Sequence, residues 1–249
     1  MPVACRSAGT AAMMSALPVP AGGVAACRSS SAAPCGGPGL HVPPLASRLS
    51  FRPFFDMPHS LTDNPTLAQL LERRSCWPLT TPAPRADELG AILDTAARAP
   101  DHAGLVPWRM TLLEGDARHA MLQRVLSHPD AQTEAVQSMR GKYTSKLTTA
   151  PVVMVLHAHI KDHPKAPEFE QLLATGGAVT NMLNAAYVLG YGAFWSSTPG
   201  ALGQLLHSVL ELGPHDRMLG LLNIGTRVNA LVPVQRVARD AYVREWRGD

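Results

Sequence analysis

Apolar residues recur with the periods of regular structure from Asn64 onward, whereas the stretch before about residue 57 shows no such periodicity. Asn64 followed by Pro65 supplies an N-cap and a first helical position. Leu67, Leu70 and Leu71 then form the apolar stripe of a helix running to about Arg74. A second helix is predicted from near Pro84. It carries Asp87 and Glu88 in its first turn, where the macrodipole favours acids, and turns Leu89, Ile92, Leu93, Ala96 and Ala97 inward until Pro100 stops it. Residues 109–114 read as a strand, followed by amphipathic helices over about 117–126 and 133–147. The strongly apolar run 151–160 is a second strand, and a long helix follows over about 166–189, studded with Ala174, Gly176, Gly177, Ala178, Ala185 and Ala186. Such small residues permit close approach by another backbone or a flat ligand, and a tightly packed helix pair is an equally good reading. A strand over 192–196, a helix over 200–212 and a strand over 218–226 complete the regular pattern; 231–246 is irregular at first and helical at its end. The alternation predicts an α+β or three-layer α/β/α domain.

Composition changes the picture mainly by separating a leader from a body. Residues 1–57 are rich in Ala, Ser, Pro, Gly and Arg, too apolar-poor in pattern to offset the entropy of ordering. In being Arg- and Ser-rich and poor in acids the segment resembles an organelle transit peptide, but it lacks the apolar core and cleavage site of a secretory signal. The expected organisation is a disordered low-complexity leader over 1–57, with Met57 a plausible true start and translation of what precedes it in question, and one folded domain over 58–249. The net charge of +3 belongs to the leader: Arg6, Arg28, Arg48 and Arg52 stand there against Asp56, leaving 18 of the 22 bases and 18 of the 19 acids in the body. No polybasic face for nucleic acid results, and no apolar run approaches the roughly 20 residues of a membrane span. Cys5, Cys27 and Cys35 lie in the leader, so Cys76 has no disulfide partner in the body, which reads as a reduced, cytoplasmic protein. Cys76 could be a reactive thiol near a cofactor; a bystander is the plainer reading.

Several sites fail on spacing. Gly190-Tyr191-Gly192 begins a dinucleotide fingerprint, but Trp195 stands where its third glycine belongs, and there is no Walker loop, HExxH or GxSxG. His157 and His159 share a strand face and could be half a metal site, yet beyond His163 no second pair of ligands is in view, and no metal is expected. What remains is cationic. Arg73-Arg74-Ser75 at a helix end offers forked donors and a hydroxyl suited to phosphate, although basic residues favour helix C-termini in any case. Arg98 and His102 flank Pro100, which forces the chain out of the helix and puts both in a loop beside Trp108. If they meet a ligand, both would donate to its oxygens or ring nitrogens.

Arg73-Arg74-Ser75, Arg98-Ala-Pro-Asp-His102, Pro107-Trp108-Arg109, the segment GYGAFWSS over 190–197 and Gly225-Thr226 recur together at one family's spacing. From about Thr66 to Trp246 the chain resembles the nitroreductase family of FMN flavoproteins, and most of all its YdjA-like NAD(P)H nitroreductase branch. The resemblance implies a three-layer α/β/α nitroreductase-like fold with a mostly antiparallel central sheet flanked by helices, and a homodimer with FMN at the subunit interface. It implies that Arg73, Arg74 and Ser75 hold the phosphate and ribityl end, that Arg98 and His102 come from the partner subunit, and that Trp195, Ser196 and Ser197 line the flavin, with Gly225 and Thr226 nearby. Ala185, Ala186, Tyr187, Val188, Leu189 and Gly190 match the stretch that this branch assigns to NAD(P)H. Relatives often carry a basic residue where this chain has Ser196, and Arg227 is the candidate to supply that charge. The implied activity is hydride transfer from NADH or NADPH through FMN to a nitroaromatic, quinone or similar small acceptor, with no side-chain nucleophile or general base. A flavin-binding or redox-sensing protein without turnover, or another flavin chemistry on the same fold, is the alternative.

Overall fold

A computed structural model describes residues 64–231 and 236–248 of the chain. The expected leader and the Met57 start lie outside the described residues. Helix α1 spans Pro65–Glu72, with the Asn64 side chain accepting the Leu67 N–H at 3.0 Å as the sequence predicts. It stops at Glu72 because Arg73 turns to ψ 132°. A short strand β1, Leu79–Thr80, precedes α2, Ala86–Asp94, whose Glu88 carboxylate accepts the Arg85 N–H at 2.9 Å. The expected second helix is shorter than predicted, since residues Thr95–Arg98 tighten into a 3₁₀ turn before Pro100. Then come β2 (Trp108–Glu114), α3 (Asp116–Ser127), α4 (Glu134–Ser138) and α5 (Arg140–Thr148). The single helix expected over 133–147 is thus broken at Met139, beside Gly141, which weakens a helix interior by about 0.5–1 kcal/mol. Strand β3 (Val152–His159), α6 (Glu168–Val188), β4 (Gly192–Ser196), α7 (Leu202–Val209) and β5 (Asp216–Arg227) follow. The helix expected near residue 246 is not there: only a 3₁₀ turn at Arg239–Ala241 forms, and Val237, Tyr242 and Trp246 are exposed. Without an apolar face packed on the body, so short a segment has no tertiary support for a helix.

Every pairing in the sheet is antiparallel, in the order β1-β5-β3-β2 with β4 also paired to β5. Lying between β2 and β5, β3 is buried on both faces, which is why it reads as a continuous apolar run. Side chains alternate across the sheet. Val153, Val155 and Leu221 face a core shared with Leu122 and Val125 of α3, Tyr143 and Leu147 of α5 and Leu205 and Leu206 of α7. Met154, Leu156, Leu222 and Ile224 face the other core, built with Leu89 and Ile92 of α2 and Ala178, Val179 and Met182 of α6. No helix among the described residues is long and apolar enough to cross a membrane.

The sheet closes most tightly where β5 ends. A Cβ at Gly225 would lie 2.5 Å from Pro151 Cδ and 2.9 Å from the Thr80 carbonyl oxygen, so glycine there answers a packing need. By contrast, Gly176 and Gly177 of α6 face Trp195 and Ala99 with ordinary van der Waals room for a methyl group. The small-residue stripe is therefore a helix packed on its own neighbours.

Candidate functional site

Pairing of β1 with the end of β5 sets Leu79 opposite Arg227 and Thr80 opposite Thr226. The Cys76 N–H donates to Ala193 O of β4 at 3.0 Å, and the Thr226 hydroxyl donates to Pro82 O at 2.8 Å. These ties clamp two loops at one end of the sheet, 74–78 leaving α1 and 227–231 leaving β5, and between them lies a cavity of about 200 Å³. Arg74, Ser75 and Arg227 are among its lining residues, with Cys76 and Trp77 beside them. The Arg227 guanidinium sits 5.7 Å over the Tyr187 ring at the C-terminal end of α6. Arg74 Nε donates to Glu72 O at 3.1 Å. Arg73 does not line the cavity: its carbonyl accepts from Arg236 Nη2 at 2.6 Å, tying the C-terminal segment to this end of the molecule. Two cations and a hydroxyl in a concave site are the donor set that a phosphate monoester needs.

The segment 185–190 has a structural explanation at several of its positions. Ala186 is buried in the core. Gly190, at φ +88°, ends α6 in a Schellman turn, with Gly190 N–H donating to Tyr187 O and Tyr191 N–H to Ala186 O. Val188 and Leu189 remain exposed.

Strand β4 separates its candidate residues by face. Trp195 packs with the α6 core and donates from Nε1 to Leu219 O at 2.9 Å. Phe194 and Ser196 therefore point to the opposite face, where Phe194 meets Trp77 at a centroid distance of 5.6 Å. The Ser196 hydroxyl is buried there without a hydrogen-bond partner among the described residues, and Asn223, register partner of Phe194, is likewise buried with both amide atoms unpartnered. Ser197 is exposed. Trp195 and Ser196 thus turn their side chains to opposite faces of β4.

Arg98 and His102 lie elsewhere along α6. The 3₁₀ turn ending at Arg98 packs on the middle of the helix, where Asn181 Nδ2 donates to Thr95 O at 3.2 Å, and the Arg98 side chain is exposed. His102 reaches the helix's first turn, with Nδ1 2.6 Å from Glu170 Oε2. At 1.5 Å per residue, Glu170 and Tyr187 are about 25 Å apart along the helix. A single protomer therefore holds the cavity at one end of α6 and His102 at the other.

Three side chains near these sites carry no local sequence signal. Lys146 Nζ lies 5.4 Å from the Trp77 ring centroid and 4.8 Å from that of Phe194, and burial pushes its pKa down. Trp77 and Glu170 likewise acquire their roles only from tertiary contact. The His157–His159 pair turns to Asp216, at 3.8 Å and 2.9 Å, and among the described residues no group of His, Cys, Asp or Glu is arranged to hold a metal ion.

With this geometry in place, the comparisons decide the family. The nitroreductase family profile matches residues 70–226, more than half of the chain. The chain belongs to the nitroreductase family. It is 29% identical over 163 residues to the protein named "Putative NAD(P)H nitroreductase YdjA" of Escherichia coli K12, covering 64% of this chain and 87% of that one. Among solved structures it is similar to a nitroreductase-like family protein from Bacillus cereus, with a TM-score of 0.60 and 24% identity over 74% of this chain and 96% of the other. It is also similar to the protein described as "a putative nitroreductase in complex with fmn" from Desulfovibrio desulfuricans, with a TM-score of 0.56 and 23% identity over 74% of this chain and 98% of the other. The α+β fold with its antiparallel sheet is that of these neighbours. As a member of this family the chain is an oxidoreductase.

Proposed function

We propose that this nitroreductase-family protein is an FMN-dependent NAD(P)H oxidoreductase working in two half-reactions. The observation that carries the reading is the cavity between 74–78 and 227–231, where Arg74, Ser75 and Arg227 converge. These residues would hold the FMN phosphate, Arg227 supplying the charge that the buried Ser196 does not. Bound FMN supplies hydride acceptance from NADH or NADPH and electron delivery to a second substrate. The protein's part is to bind and orient. Arg98 donors would favour negative charge on the ring, and exposed Val188 and Leu189 border the end of α6 where the nicotinamide nucleotide would approach. A small planar acceptor, nitroaromatic or quinone, would replace the oxidised nucleotide. The lone body cysteine suits a reducing compartment such as the cytoplasm.

The same reading includes a homodimer. Alone, the cavity is below the roughly 300–1,000 Å³ usual for cofactor sites, and His102 stands a helix length away. Phe169 and Leu173 of α6 are 60% and 69% exposed, with Leu70 and Leu71 of the adjoining α1 exposed as well. Two-fold pairing of α6 against its copy would cover these apolar groups and bring the His102 end of one protomer to the cavity end of its partner.

The test is an absorption spectrum of the purified full chain, reconstituted with FMN and then mixed anaerobically with NADH or NADPH. Flavin absorption that bleaches with one nucleotide and recovers on adding a nitroaromatic or quinone is the expected result. Failure to take up FMN would sink the reading.

A further inference from the structure

We propose that Glu170 is a positioning residue that fixes the tautomer of the neutral form of His102, so that this form presents a lone pair at Nε2 and reads a hydrogen-bond donor of the bound flavin. The inference rests on the proposed contact of His102 with FMN. A carboxylate only accepts hydrogen bonds, so at 2.6 Å from Glu170 Oε2 it is Nδ1 of His102 that carries the proton. In the neutral ring the other nitrogen is then the acceptor. Arg98 can only donate, whereas the Nδ1–H tautomer of His102 accepts at Nε2, which differs from the sequence-based expectation that both donate.

The surroundings hold this arrangement against an unfavourable backbone. Ala103 and Val106 adopt φ of +68° and +48°, a region that side-chain-bearing residues rarely enter. Asp101 Oδ2 accepts the Val106 N–H at 2.6 Å, Lys161 Nζ donates to Leu105 O at 2.8 Å, and Arg109 Nη1 donates to Val106 O at 2.6 Å. Asp101, Lys161 and Arg109, with Glu170, are the charged groups that secure the loop. Backbone strain that its environment maintains clusters at ligand sites, and the side chain that this loop presents is His102. An oxidised flavin offers two kinds of donor, the ring imide N–H and the ribityl hydroxyls.

Nitrogen-15 spectra of the imidazole rings in the full chain, near pH 8 where an ordinary histidine of pKa about 6.5 is neutral, read the tautomer without any cofactor. His102 is assigned from its loss in His102→Asn. Wild type should show the proton on Nδ1, and Glu170→Ala should move it wholly or partly to Nε2; an unchanged ring, or Nε2–H in wild type, overturns the proposal. FMN dissociation constants form the second arm. Glu170→Ala should weaken binding about 2- to 10-fold, the range for one hydrogen bond, and the double variant with His102→Ala should be no weaker than His102→Ala alone. Additive losses overturn the proposal, since Glu170 would then act by another route. A penalty for 3-methyl-FMN that vanishes in His102→Ala identifies the ring N–H as the donor; a penalty retained in both points to a ribityl hydroxyl. If the chain binds no FMN, the flavin half falls with the reading above, while the ring spectra still decide whether Glu170 controls the tautomer.

Discussion

The two faces of the sheet are built differently. On one, α3, α5 and α7 cover Val153, Val155 and Leu221 with large side chains, among them Tyr143, Leu147, Leu202 and Leu206, all buried. On the other, α6 lays small residues against the sheet and the 3₁₀ turn, and leaves Phe169 and Leu173 facing outward. The first face is complete within one chain. The second leaves large apolar groups uncovered, and several candidate site residues are spaced along its principal helix: Arg227 over Tyr187 at one end, Arg98 at the middle, His102 on Glu170 at the other. The cavity joins the two sides at the end of the sheet, since its lining residues Cys76 and Trp77 pack against the first cluster while Arg227 reaches over Tyr187 of α6.

The contrast breaks most directly by mutating each face. Leu206→Ala, on the closed face, should cost about 2–5 kcal/mol in urea unfolding and leave the oligomeric state unchanged. Leu173→Arg, on the open face, should leave the protomer's unfolding within about 0.5 kcal/mol, as for other surface changes, yet shift the protein to a monomer by light scattering. A dimer that survives Leu173→Arg would remove α6 from the interface. Next in size is Arg227→Ala, which should weaken FMN binding about 10- to 100-fold, the loss of a charge-assisted hydrogen bond, with riboflavin binding little changed. Equal losses for both ligands would mean that Arg227 does not meet the phosphate.

The smallest effect sits on the closed face. Burial, aided by the positive charge of Arg109 and by His159 and His207, pushes the pKa of His157 below its ordinary value against the pull of Asp216. Between about pH 6.5, the unfolded value, and the lower folded value, the unfolded chain binds a proton that the folded one does not. Stability should therefore be full above about pH 6.5, decline as pH falls through that window and be lost below the folded pKa. His157→Gln should flatten this slope in urea midpoints, while FMN binding keeps the pH profile of wild type. A slope unchanged in the variant would assign it to other groups, such as Asp216, which its hydrogen bond to His159 holds low although burial pushes it up.

Much of the fold was legible because period and punctuation are local. Asn64-Pro65 starts α1, Pro100 ends the second helical run, and the buried run 151–160 is the central strand. The break at Met139 and the missing helix near residue 246 were not legible, because both depend on whether a face finds something to pack against. At the site, local reasoning identified residue types and missed partners. The family resemblance implies that Gly225 and Gly190 lie at a ligand, and the structure gives each a packing or termination role as well. Local reasoning read Arg73 and Arg74 alike as phosphate donors, and the structure adds that Arg74 lines the cavity while the Arg73 carbonyl accepts from Arg236.

The sequence by itself determined most of the element order, though not the two-residue strand β1, together with the family spacing and the cationic residues of the site, since these follow from residue type and distance along the chain. Only the tertiary structure decided which cations converge. Strand pairing between β1 and β5 brings Arg74 and Arg227, far apart in sequence, to one cavity, and strand alternation turns Trp195 and Ser196 to opposite faces. The length of α6 holds His102 away from both, and contact across the fold assigns it Glu170. Long-range register and helix length set these relations, and neither is a property of any local stretch of residues.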